Sequence, residues 1–277
     1  MFPLPFTGPT YSLANAFENQ ISQNTLLLAH IPTAVISLAF AIWLYHHTKK
    51  LSALYLLFIT IAFSIWTYLD FAAWTGSAQT IMFSWSILDI FSTFFTILTY
   101  WFFYAFVKEE DVPFWQKLVS LCFLIPPIAY VLSSVNMTTF YNPQAISLEN
   151  EMTRYYVPMV GVVFLCSVLT LAIIEYRKTT DITAKQKILW VTLATGLFLS
   201  IFLTAFLITN ALLRFSTNLA QYAYNVSVYS LFGMPFLTGI LTYLIVKYQA
   251  FNVTVIKSIL YILICMAILF VNIFLPY

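Results

Sequence analysis

The ionisable side chains of this 277-residue sequence are few, and their surroundings narrow what they can do. Asp89 sits deep in the apolar run FSWSILDIFSTFFTILTY. A charged group at that depth costs about 3 kcal/mol or more unless it is paired or turned into a helix bundle. Ser86, Asp89, Ser92, Thr93, Thr96 and Tyr100 recur at three- and four-residue spacing, which places them on one helical face. Asp70 lies near one end of the preceding run, with Trp66 and Thr67 on its face. His30 and Pro32 lie in the corresponding part of the first run, and Gln221, Asn225 and Tyr229 form a polar face in the seventh. One chemistry open to this set is a ligand or ion pocket around Asp89 and Asp70, with His30, Asn225, Trp85 and Tyr229 lining it. The other is structural: acids, His, hydroxyls and amides pair across helices and hold the bundle together. The residues alone leave both open.

Other chemistry is excluded or weakly supported. The six glycines form neither a P-loop nor a GxGxxG pattern, so nothing cradles a nucleotide phosphate. His30 and His47 are about 25 Å apart along one helix and share no metal or haem, and His46-His47 beside Lys49-Lys50 reads as an interfacial basic cluster. No GxS nucleophile faces a histidine, and the seventh run has no mid-span lysine for a Schiff base. No cofactor is expected, and no basic patch interleaved with aromatics points to nucleic acid. Cys122, Cys166 and Cys265 each lie singly in an apolar run and read as small core residues.

The elements that must position these residues are membrane helices. Hydrophobic residues make up 61% of the chain and charged residues 8%, too few to form a solvated shell around a soluble core. The apolar runs are about 20 residues long and do not alternate in polarity, which fits helices rather than a barrel. The expected fold is an all-α polytopic helix bundle with eight spans, at 24–46, 51–74, 80–107, 115–135, 155–176, 187–212, 220–247 and 258–276. Ten of the twelve Lys and Arg residues fall at one set of ends and only Arg154 and Arg214 at the other. The positive-inside rule then puts the N-terminus outside and the Asp70, Asp89 and His30 region in the outer half of the plasma membrane. Residues 1–23, without Lys or Arg, read as a short external lead-in. The 136–154 loop shows no domain. Pro126-Pro127 in the fourth span and Pro235 in the seventh remove backbone donors and are expected to kink their helices.

The stretch TYLIVKYQAFNVTVIKS after the seventh span is similar to the juncture of bacterial membrane histidine kinases with an N-terminal seven-transmembrane sensor region. Thr242, Tyr243, Ile245, Val246, Lys247, Tyr248, Phe251, Asn252 and Val253 fit the pattern that commonly ends the last span there. The resemblance covers essentially residues 24–257. It implies a sensory input module (24–247) of a two-component system, a juxtamembrane linker (248–257), and an eighth hydrophobic segment (258–277) on which the sequence stops, as if cut. Pro235, Lys247, Tyr248, Phe251 and Asn252 would relay the signal to a cytoplasmic kinase domain in cis or in trans. The chain departs from such kinases in having no phospho-accepting histidine on a soluble helix, no N box and no G box, so kinase activity is not carried over. Such kinases often dimerise, which leaves a homodimer open, and no dimer face is legible. The alternative reading is a stand-alone membrane protein that transports a small solute or ion.

Overall fold

A computed structural model of the chain describes residues 23–75, 78–133, 137–141, 146–149, 151–215 and 230–250. Three long helices come first: α1 (Gln23–Thr48), α2 (Leu51–Thr75) and α3 (Ala78–Lys108). Two short ones follow, α4 (Phe114–Cys122) and α5 (Ile125–Leu132), then α6 (Glu151–Lys178), α7 (Ile182–Phe215) and α8 (Gly233–Ile245). Among the described residues, six stretches are long and apolar enough to cross a membrane, with α4 and α5 together making one of them. By helix length and composition this is a multi-pass membrane protein. The eighth expected span and the residues before 23 lie outside the described residues.

Sharp signals set the helix ends. Lys49 (φ 53°) and Glu109 (φ 58°) adopt the left-handed conformation just past α1 and α3. Their N–H groups close back on the carbonyls of Tyr45 (3.0 Å) and Ala105 (3.1 Å), the bond that ends a helix on a left-handed residue. Asp181 caps α7, its carboxylate accepting from the N–H groups of Thr183 (3.1 Å) and Ala184 (3.0 Å). That cap starts α7 at Ile182, about a turn before the expected boundary.

Helix α3 is the hub. It packs on α2, α6 and α7, while α8 lies against α1 and α7 and so closes the bundle. At the centre, Phe63 and Trp66 of α2, Phe95 of α3, and Phe198 and Phe202 of α7 form a knot of rings with centroids 4.9–6.3 Å apart. Each such pair contributes about 0.5–1.5 kcal/mol beyond burial. Cys122 and Cys166 lie exposed on the outside of the bundle, not in its core as expected. In lipid the outer surface is as apolar as the interior, so hydrophobicity does not decide which residues are inside.

The fourth span is broken, not merely kinked. Pro126 and Pro127 stand in the first turn of α5, and the chain turns at Phe123-Leu124 between α4 and α5. Pro127 has no N–H to give the carbonyl of Phe123, four residues back. The hydroxyl of Tyr156 on α6 donates to that carbonyl instead, at 2.7 Å. A similar economy marks Pro235. It is buried in the first turn of α8, where Met234 N–H bonds Leu231 O at 3.1 Å across a turn at Leu231-Phe232. The break therefore precedes Pro235, and α8 starts afresh at Gly233. Beyond Ile245 the coil widens into a π-helical turn, Val246–Ala250, so the expected linker from residue 248 begins within helical structure.

The fold is all-α in class, and one short hairpin accompanies the helices among the described residues. In the 136–154 loop, β1 (Met137–Tyr141) pairs antiparallel with β2 (Ile146–Glu149), Tyr141 opposite Ile146 and Met137 opposite Glu149. The run Thr138-Thr139-Phe140-Tyr141 is β-branched and aromatic and is followed by Asn142-Pro143, a strand-then-turn signal.

Tyr156→Phe should lower stability by about 1–3 kcal/mol, because it leaves the Phe123 carbonyl unpaired. In a Pro127→Ala background, where an N–H can return, the same substitution should cost much less. Thermal unfolding of the four proteins in detergent measures the cycle.

Candidate functional site

The structure brings two of the expected pocket residues together. His30 on α1 is fully buried, and its Nε2 lies 2.9 Å from Asp70 Oδ2 on α2. The Asp70 side chain is only 15% exposed. The His30 ring also meets the ring of Phe71 at 5.7 Å. A neutral imidazole donates Nε2–H to the carboxylate here, and an imidazolium would form an ion pair with the same atoms. A crevice of about 270 Å³ opens beside His30 between α1 and α2, with Ala34, Ser64, Thr67 and Phe71 among its walls. This arrangement bridges two helices.

Asp89 and Trp85 are half-buried on α3 and line neither this crevice nor the larger one described below. Three hydroxyls of the polar stripe that includes Asp89 bond within their own helix. Ser86 donates to Phe83 O (2.7 Å), Ser92 to Leu88 O (3.0 Å) and Thr96 to Ser92 O (2.8 Å). Such back-bonding satisfies a hydroxyl in an apolar setting without any partner helix. Tyr100 OH reaches Gln116 Oε1 at 3.2 Å on α4. The Oγ1 of Thr93 is buried without a hydrogen bond. Gln221, Asn225, Tyr229, Phe251 and Asn252 lie outside the described residues. Among the relay candidates, Pro235 is buried, Lys247 is exposed and Tyr248 is half-buried. The Lys247 ammonium lies 5.5 Å from the Tyr243 ring centroid and 5.2 Å from that of Tyr248, a cation–π arrangement at the end of α8.

The opposite end of the bundle holds a polar network that sequence spacing did not reveal. Tyr55 OH on α2 donates to Asp111 Oδ1 at 2.5 Å, and Lys117 Nζ on α4 donates to Asp111 Oδ2 at 2.7 Å. Val112 N–H adds a third bond to Oδ1 at 2.8 Å. Trp101 Nε1 donates to Ser120 Oγ at 2.9 Å, which ties α3 to α4. Lys187 of α7 donates to Glu109, just past α3, and lies over the Phe106 ring at 5.2 Å. Lys108 pairs with Glu175 of α6 at 3.2 Å. These contacts gather the ends of α3 and α6 and the starts of α2, α4 and α7 on one face. The signal for them was present: Glu109, Glu110, Asp111, Glu175 and Asp181 accompany the lysines at the same chain ends.

In comparisons with known proteins, no family model, no curated protein and no solved structure matches this chain.

Burial works to raise the pKa of Asp111, but the hydrogen bonds from Lys117 and Tyr55, the lysine charge and the Val112 N–H together hold it below its ordinary value. A carboxyl lowered on folding stabilises the protein above its unfolded pKa, and that contribution is lost as pH falls through the folded value. Stability should therefore be flat from neutral pH to just above the ordinary carboxylate range of about 4 and fall below it. Melting curves of the wild type and Asp111→Asn should converge as the pH drops. The carboxylate is 54% exposed, and screening keeps the difference at about 1 kcal/mol or less.

Asp70→Ala should cost more than Asp70→Asn, because the amide oxygen still accepts from Nε2–H while alanine removes that buried hydrogen bond, at about 1–3 kcal/mol. His30→Leu combined with Asp70→Leu should recover part of the loss. Unfolding of the single and double variants measures the coupling.

Proposed function

We propose that the chain is the membrane-embedded input module of a signalling system that controls a cytoplasmic histidine kinase carried in cis or in trans. In this reading the basic face points to the cytoplasm of a cell with a plasma membrane and the His30–Asp70 bridge lies in the outer half. The observation that supports it is the placement of α1. That one helix carries His30 at one end and serves as the seat for α8 along its length. Helix α8 in turn carries the stretch that resembles the kinase juncture, with Met234, Leu241, Leu244, Ile245 and Val246 all buried. A change at the His30–Asp70 bridge shifts α1 against α2, and α8 meets α1 directly, so the displacement has a packed route to Lys247. Trp43, Trp101, Trp115 and Trp190 towards the span ends suit a bundle held at fixed depth.

The test is a fusion of the whole chain to a histidine kinase catalytic core, assayed for autophosphorylation in membranes. Asp70→Asn and His30→Gln should each change the basal level by about threefold or more, in line with a coupling free energy of roughly 1 kcal/mol. Identical phosphorylation in wild type and both variants, at equal expression, would sink the signalling reading. Solute flux in proteoliposomes that vanishes in Asp89→Asn would replace it with transport.

A further inference from the structure

A crevice of about 470 Å³ lies on the outside of the bundle, between α2 and α3. Its walls are apolar, formed by Phe58, Ile61 and Ile65 of α2 and Phe94, Leu98 and Trp101 of α3. The α2 wall faces outward, with Phe58 42%, Ile61 39% and Ile65 41% exposed. One end is polar and belongs to the Tyr55–Asp111–Lys117 cluster, whose Asp111 and Lys117 both line the crevice.

Two properties identify what fits. The first is length. From Tyr55 at the polar end to Ile65 is ten residues of α2, about 15 Å, which equals one leaflet of a hydrocarbon core about 30 Å thick. The apolar part therefore matches a single acyl chain of the leaflet whose headgroups meet the basic face. The second is charge. The polar end presents one carboxylate and one ammonium 2.7 Å apart. A carboxylate offers about four acceptor positions, and Asp111 uses three, from Tyr55, Val112 and Lys117, leaving one on Oδ2. Lys117 has three donors, of which one is used on Asp111. Its ammonium also lies 5.7 Å from the Trp101 ring and 5.8 Å from that of Tyr55, which hold it at the mouth of the groove.

We propose that this groove binds one phospholipid with a zwitterionic, primary-ammonium headgroup. The lipid phosphate accepts from Lys117, the ammonium donates to the free Asp111 position, and one acyl chain lies between α2 and α3. Both charges of the cluster are matched in sign and number, whereas an anionic headgroup would leave Asp111 facing phosphate. The inference does not rest on the signalling role.

The experiment is native mass spectrometry of the purified full chain with lipids of identical acyl chains and phosphoethanolamine, phosphocholine or phosphoglycerol headgroups. One phosphoethanolamine lipid should be retained per chain, about tenfold better than phosphocholine, whose ammonium has no N–H to donate; a charge-assisted hydrogen bond is worth roughly that factor. Asp111→Asn should reduce this preference to about twofold, and Lys117→Gln should weaken retention of both zwitterionic lipids. The comparison of headgroups on the wild-type chain needs no variant to fold. Equal retention of all three lipids, preference for phosphoglycerol, or an undiminished preference in Asp111→Asn would overturn the proposal.

Discussion

The hydrogen bond from Tyr156 to the carbonyl of Phe123 is a small instance of the constraint that organises the whole bundle. Hydrocarbon supplies no donors or acceptors, so a polar group within it must find its partner in the chain. Two prolines free a carbonyl in the fourth span, and a tyrosine on another helix supplies the donor. Hydroxyls along α2 and α3 turn back onto their own helices, as Thr67 does on Phe63 O at 2.8 Å and Thr99 on Phe95 O at 2.7 Å. His30 finds Asp70, and Lys187 finds Glu109 and the Phe106 ring. Among the described residues, the His30–Asp70 bridge and the basic face are two further places where this pairing runs between helices.

That distinction separates what could be read in advance from what could not. The long helices were legible, because apolar runs of membrane length and charge at alternate ends follow directly from the solvent. The candidacy of His30 and Asp70 followed from the cost of ionisable groups at depth. Their pairing did not, since it depends on how α1 and α2 rotate against each other. The hydrogen bonds of the α3 stripe were hidden for a related reason. Spacing shows that Ser86, Ser92 and Thr96 share a face, but not that their hydroxyls bond to the backbone one turn earlier. The hairpin at 137–149 was hidden by expecting only helices in a chain so rich in them, although its residues carry strand preference. The Tyr55–Asp111–Lys117 cluster joins residues up to 62 positions apart through the end-to-end contacts of three helices, and no local pattern encodes that.

The central ring knot has a different character from the polar contacts. It has no directionality that fixes register, yet it joins α2, α3 and α7 through apolar rings. Membrane helices associate without a hydrophobic driving force, so close packing of large flat groups must supply attraction that burial supplies in water. The ion pairs at the basic face then tie α3, α6 and α7 at one end, and the rings set the separation of α2, α3 and α7 in the middle.

The apolar stretch of helix α7, Ile182–Ala205 with 24 residues, is about 36 Å long, somewhat beyond a hydrocarbon slab of about 30 Å. A helix longer than its bilayer accommodates the difference mainly by tilting. Lys187 pins one end of α7 to Glu109, so any tilt pivots there and swings Phe198 and Phe202 across the rings of α2 and α3. The central packing of the bundle is thereby coupled to the thickness of the membrane around it.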